Sequence, residues 1–411
     1  MAQTAKASSP LGQTFLSLRY RDFRLVWAGS VTEHMGEWME LTAFFWLARH
    51  LTPSPFLLTF IGFARFIPPL LFSFPGGLVT DLVDRRKLLI TALLTASLLS
   101  VVLSILVYTE RIAIWNLVVI ALLNGVIISF NHPARQAILP NLVKREHLMN
   151  AISLDTISVM ASSVIGAPLG GWMIDRFGVA PIFLWRALGL VLAIGWLAWV
   201  KTPLKPPASR KETLWQNISG GIRYLKRQPT VGGLVALYIL PMTTFFVYLF
   251  LLPTFAKDIL QVTGSGFGIL NAASGLGAVI SLVALASVGD FRRKGMVLLA
   301  MAITMGLTLW GFGASHWFWV TFLLLLISGA SRTSFMTINA TVIQKTIPDE
   351  VRGRVMSLRE VATGLGPIGS LIAGGIAQLT TTTFAVEVMG IVTLLIPLAL
   401  VFWWSGLKKL E

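Results

Sequence analysis

Twelve stretches of about twenty predominantly apolar residues follow one another along this chain, and that succession leaves few ways to fold it. They cover approximately 23–48, 56–80, 87–108, 112–136, 150–174, 180–200, 230–256, 266–289, 295–313, 317–343, 355–379 and 383–405. Coiled as a helix, each run matches the thickness of a bilayer and satisfies its own backbone hydrogen bonds inside lipid. Composition agrees: the chain is 55% hydrophobic and 12% charged, about half the charge of a soluble domain. The expected fold class is an all-α membrane protein with twelve transmembrane helices.

The net charge is +15, yet the basic residues fall in short bursts between the apolar runs. A nucleic-acid interface would gather them on one folded face, so no nucleic-acid partner is expected. With the N-terminus inside, the inner segments hold about 26 of the 33 Lys and Arg. The outer loops hold four, Arg49, Arg111, Arg176 and Lys257, and three lie inside the runs, Arg65, Arg186 and Arg332. This asymmetry predicts both termini in the cytoplasm of a multi-pass inner-membrane protein. Met1 to Asp22 are polar, without an apolar core and cleavage site, so no signal peptide is expected.

Three units are predicted: a six-helix bundle over 1–200, a linker over 201–229 and a second six-helix bundle over 230–411. The linker opens proline-rich, as KTPLKPPASRK, and continues with Trp215, Ile218, Ile222 and Leu225 at helical spacing among basic residues. That pattern predicts an amphipathic helix on the inner membrane surface; a solvated linker is the plainer alternative. The halves echo each other. Asp81 precedes Arg85-Arg86-Lys87 as Asp290 precedes Arg292-Arg293-Lys294. Asn124, Asn131 and Pro140 correspond to Arg332, Asn339 and Pro348 at an offset of 208, and Ser153-Leu154 and Gly170-Gly171 to Ser357-Leu358 and Gly374-Gly375 at 204. Two halves of like topology imply a pseudo-two-fold axis along the membrane normal and a central cavity between them.

Ionisable residues inside a membrane are costly and point to function. Run 1 carries Glu33, Glu37 and Glu40, which at helical spacing lie within about 60° of one another. Crowded carboxylates away from water are candidates for binding protons near neutral pH, with Glu37, nearest mid-span, the foremost. Arg65 in run 2 is the expected partner of one of them, as an ion pair, a cavity residue or both. Asn124, Asn131 and Arg135 share a narrow stripe of run 4, and Arg332 and Asn339 the repeat-related stripe of run 10. Both stripes are expected to line the central cavity, although asparagines also join neighbouring helices. Gly166, Pro168, Gly170 and Gly171 in run 5, with Gly374 and Gly375 in run 11, are expected to permit close helix packing.

Absent patterns narrow the field. There is no cysteine, no GxxxxGK[ST] and no HExxH, so disulfides, nucleotide-powered pumping and a zinc-protease site are not expected. No cofactor and no metal is called for.

GGLVTDLVDRRKLL, at 76–89, resembles the signature between helices 2 and 3 of the major facilitator superfamily, matching at Gly77, Asp81, Arg85 and Arg86 and departing at Leu82 and Asp84. GAPLGGW, at 166–172, resembles the antiporter signature of exporters. GEWM (36–39), FARFIPPLLFSFPGG (63–77), NHPARQAILPNLV (131–143) and IPDEVRGRVMSL (347–358) are similar to the branch holding enterobactin-type siderophore exporters and macrolide-efflux proteins. The resemblance implies alternating access, energised by protons, with export of small molecules by a monomer. It also implies a cytoplasmic gate at Asp81, Arg85, Arg86, Asp290 and Arg292, to which the repeat-related Asp155 and Arg359 are added as a pair expected across the halves in the outward-facing state. The competing readings are an importer or uniporter of a defined metabolite in the same fold, and a non-transporting receptor or membrane enzyme.

Overall fold

The computed structural model describes residues 15–204, 214–289 and 291–403. Asp290, linker residues 205–213 and the side chain of Asp81 lie outside that description. The first half comprises α1 (Arg21–Leu51), α2 (Pro55–Leu82), α3 (Arg85–Tyr108), α4 (Ile114–Leu142), α5 (Leu148–Phe177) and α6 (Ala180–Ala198). The linker forms α7 (Leu214–Arg227). The second half comprises α8 (Pro229–Leu237) and α9 (Ile239–Thr254), which together make one span, then α10 (Gly264–Val288), α11 (Lys294–Ala314), α12 (Phe318–Thr346), α13 (Asp349–Leu379) and α14 (Thr382–Trp403). No strand occurs among the described residues.

Local chemistry sets the boundaries. Ser54 caps α2 by accepting from Leu57 N–H, and Pro55 occupies the first turn, where no backbone donor is needed. Asp84 caps α3 by accepting from Arg86 N–H, so the departure from the family signature at this position serves as a helix start. Gly178 and Gly289 end α5 and α10 with φ of 78° and 68°, a left-handed region that glycine enters without a Cβ clash.

Among the described residues, eleven spans are long and apolar enough to cross a membrane. The twelfth, α1, has 31 residues but carries its three glutamates in mid-helix. The seventh span breaks at Tyr238, where Pro241 cannot donate to the Leu237 carbonyl. The turn tightens, with Tyr238 N–H bonded to Val235 O at 3.2 Å. The Leu234 carbonyl released by that tightening accepts from Asn339 Nδ2 at 2.9 Å.

The halves use one packing scheme. In the first, α1 packs on α5, α2 on α4, and α3 on both α4 and α6. In the second, α9 packs on α13, α10 on α12, and α11 on both α12 and α14. Between the halves, α5 lies along α10 and α2 along α13, two contacts related by the same pseudo-two-fold. The linker helix α7 lies on the start of α13, with Gly220 and Gly221 against Arg354 and Leu358.

Candidate functional site

Three ion pairs climb α1. Glu33 pairs with Arg135 of α4 and also accepts from Asn131 Nδ2 at 2.6 Å; Arg135 in turn contacts Ser30 Oγ. Glu37 lies 3.5 Å from Arg65 of α2. Glu40 pairs with Arg186 of α6, whose Nη1 also reaches Glu33 O at 3.4 Å. The expected crowding of uncompensated carboxylates therefore does not arise: each faces a guanidinium brought by a different helix. The pairs differ in access. The Glu40 and Glu33 side chains are 1% and 8% exposed, whereas that of Glu37 is 26% exposed.

The α4 stripe turns inward toward this ladder. Asn124, Asn131 and His132 line a cavity of about 20 Å³ with Glu33, Glu37 and Arg65, room for about one water. That cavity lies within the first half, among α1, α2, α3, α4 and α6. The α12 stripe does different work. Asn339 holds the broken span, and Arg332 lies over the Phe245 ring, 4.4 Å from its centroid.

The halves are tied together at the face away from the termini. Arg49, at the end of α1, pairs with Asp258 at 2.5 Å. Ser54 Oγ donates to Gln378 at 2.6 Å. The Asp175 carboxylate of α5 caps the start of α10, accepting from Gly264 N–H, Ser265 N–H and the Thr263 and Ser265 hydroxyls at 2.5–2.9 Å. Below these ties, Trp46 stacks on Phe267 and Phe45 on Phe250, and Phe66 meets Phe246 at a tilt. Of the five glycines expected for packing, four meet a neighbouring helix. Gly171 meets Gly264 and Gly268, and Gly268 in turn packs on Ala167 and Pro168. Gly166 and Gly170 meet the α1 backbone at Met35 and Met39, and Gly374 meets Thr59. A side chain at any of these positions would collide with its neighbour. Gly375 faces open space.

At the opposite face, Arg85 Nη1 donates to Ala137 O at 2.9 Å and Arg86 Nη2 to Thr202 O at 3.1 Å, stapling the α2–α3 turn to the ends of α4 and α6. Arg292 is exposed. Arg359 donates to Met336 O at 3.2 Å and stacks over Tyr238 at 4.1 Å. Asp155 and Arg359 form no ion pair with each other in this structure, which is closed at the other face.

The pairing of Arg186 and the ties at the far face were not among the expectations from sequence. Arg186 was legible as one of three arginines inside apolar runs, and a third glutamate awaited a partner. Nothing local marks Arg49, Asp258 or Asp175, which meet only when the halves dock.

A family model described as transmembrane secretion effector matches residues 12–411. A staphyloferrin A transporter of Staphylococcus aureus is 25% identical over 382 residues, 92% of this chain and 95% of that protein. Enterobactin exporters of Shigella boydii and Escherichia coli are 26% identical over 336 residues, 81% of this chain and 80% of theirs. Among solved structures, a POT family transporter in complex with 5-aminolevulinic acid superposes with a TM-score of 0.78 at 12% identity, covering 95% of this chain and 97% of that one. A bacterial homolog of the human lysosomal transporter Spinster superposes at 0.68 with 15% identity and the same coverage; both likenesses concern the fold. With two half-repeats of six spans, charged residues paired within the bilayer region and a family match over nearly its whole length, the chain is a major facilitator transporter of the transmembrane secretion effector family.

Proposed function

We propose that this transporter exports amphipathic small molecules of the siderophore or drug type from the cytoplasm, driven by the proton gradient, by alternating access of a monomer in the inner membrane. Its working parts are the two bundles of 1–200 and 230–411, joined by the linker of 201–229. The basic bursts orient the face bearing the termini toward the cytoplasm. On that orientation the Asp175, Arg49 and Ser54 ties close the outer side, and this is the state that loads substrate from within. The siderophore handling of the named relatives supports the substrate class.

The observation that carries the proton coupling is Glu37, with a quarter of its side chain accessible and a 3.5 Å pair to Arg65 in mid-span. A proton or a substrate group can reach this carboxylate and release Arg65, whereas Glu33 and Glu40 are enclosed. Breaking and remaking one accessible ion pair as the halves rock is a means of coupling a proton to a conformational change. Inside-out vesicles test this. Glu37→Gln is expected to abolish uptake of fluorescent dye driven by a pH gradient, with membrane insertion and the size-exclusion profile kept. Uptake at the wild-type rate in that variant removes Glu37 from the mechanism, and wild-type uptake indifferent to the gradient favours a uniporter.

A further inference from the structure

Within the spans, Arg65, Arg135 and Arg186 each face a glutamate, whereas Arg359, nearer the face bearing the termini, meets the Met336 carbonyl and the Tyr238 ring. Arg332 faces none among the described residues. Its Nη1 makes a long contact of 3.6 Å to Met336 Sδ, and its Nε is buried without a hydrogen bond. The guanidinium lies 4.4 Å over Phe245, which packs edge-on to Phe246 and Tyr248. Phe246 meets Phe66 across the halves at 4.8 Å, and Phe66 follows Arg65 in the chain. Arg332 therefore stands near the junction of the halves, across a short run of aromatic rings from the Glu37–Arg65 pair.

Three carboxylates balance three guanidiniums on the α1 side, so Arg332 adds a charge with no counter-ion among the described residues at the depth where a charge is most costly. Its repeat mate, Asn124, is neutral; the cation is an addition of the second half. A thioether and a ring face are soft partners that hold the guanidinium plane while leaving donors of its fork unused, and that fork fits a carboxylate or similar oxyanion.

We propose that Arg332 is the anion-recognition residue of the transport site, and that transported molecules carry a carboxylate or comparable oxyanion beside an aromatic or apolar body that packs along Phe245 and Tyr248. This rests on the transporter reading above and narrows its substrate class.

The test uses the full chain in lipid nanodiscs with two matched fluorescent probes, dansyl-phenylalanine and its methyl ester, which differ in one negative charge. The wild type is expected to bind the acid at least tenfold more tightly than the ester, the scale of a charge-assisted pair. Arg332→Gln is expected to bring that ratio near one, with Arg332→Met serving where the glutamine variant does not purify as monodisperse protein. Arg332→Lys, a point charge without the fork, should retain part of the preference. A wild-type ratio near one, saturable binding of neither probe, or a tenfold preference that survives in Arg332→Gln overturns the proposal. Movement of the probes into inside-out vesicles reads the transporter function separately. An Arg332-dependent preference without movement keeps the anion site and counts against transport; movement of both probes without preference does the reverse.

Discussion

Removing Arg186 isolates the most deeply enclosed carboxylate among the described residues. Glu40 is 1% exposed in its side chain and its oxygens have no hydrogen-bond donor besides the Arg186 ion pair. In Arg186→Met the volume is roughly kept and the counter-charge is lost. Breaking one side of a buried pair costs about 3–5 kcal/mol. A separate route gives a ceiling: the orphaned group can fold as the neutral acid, and protonating a carboxylic acid of ordinary pKa about 4.3 at pH 7 costs about 3.7 kcal/mol. By the same relation the cost falls to about 1 kcal/mol at pH 5. The sign follows from linkage, because the variant's unfolded chain releases a proton that its folded form retains, so its deficit grows as pH rises above the ordinary carboxyl range. Reversible unfolding in mixed detergent micelles, followed by the fluorescence of the 14 tryptophans, reads the loss at both pH values. Glu40→Gln added to Arg186→Met should recover most of the stability, since it removes the charge that the first substitution strands. A loss below about 1 kcal/mol at pH 7, an equal loss at both pH values, or no recovery in the double variant would show that the Glu40–Arg186 pair is not the closed unit described.

Two further outcomes concern the faces. Asp175→Ala removes the cap that ties α5 to the start of α10, and a lost cap of about 1 kcal/mol shifts the balance toward an open far face roughly fivefold. Spin labels at Thr109→Cys and Trp317→Cys, both exposed at that face of a cysteine-free chain, should show a longer-distance population growing; an unchanged distance distribution removes Asp175 from the closure. At the opposite face, exchanging the charges of Asp155 and Arg359 together should restore transport lost in either single reversal, and absence of rescue refutes their pairing when the far face opens.

Much of the fold was legible because each span carries its own signal. Length, apolarity and the basic bursts are local properties, and an α-helix meets its hydrogen-bonding needs without a neighbour. The half-repeat was legible because it persists as matched residues at nearly constant spacing. Even α1, with too much charge to read as an ordinary span, declared its importance through that charge. The partners of those charges were not legible. Arg65 was a plausible mate for some glutamate, but nothing near it selects Glu37 over Glu33. Arg135 shared a helical stripe with Asn124 and Asn131, yet whether that stripe faced the central opening or the first half's interior depended on how α4 rotates against α1. Arg186 found Glu40, and Asp175 found the α10 terminus, through contacts separating residues by more than eighty positions. By itself, then, the sequence determined the number of spans, their pairing into halves and the residues that cannot face lipid, since lipid penalises polarity at each position independently. Only the tertiary structure decided which charge neutralises which, which face is shut and which arginines, including Arg332 and Arg359, are left facing no carboxylate among the described residues, because those outcomes depend on helix rotation and on docking of two halves distant in the chain.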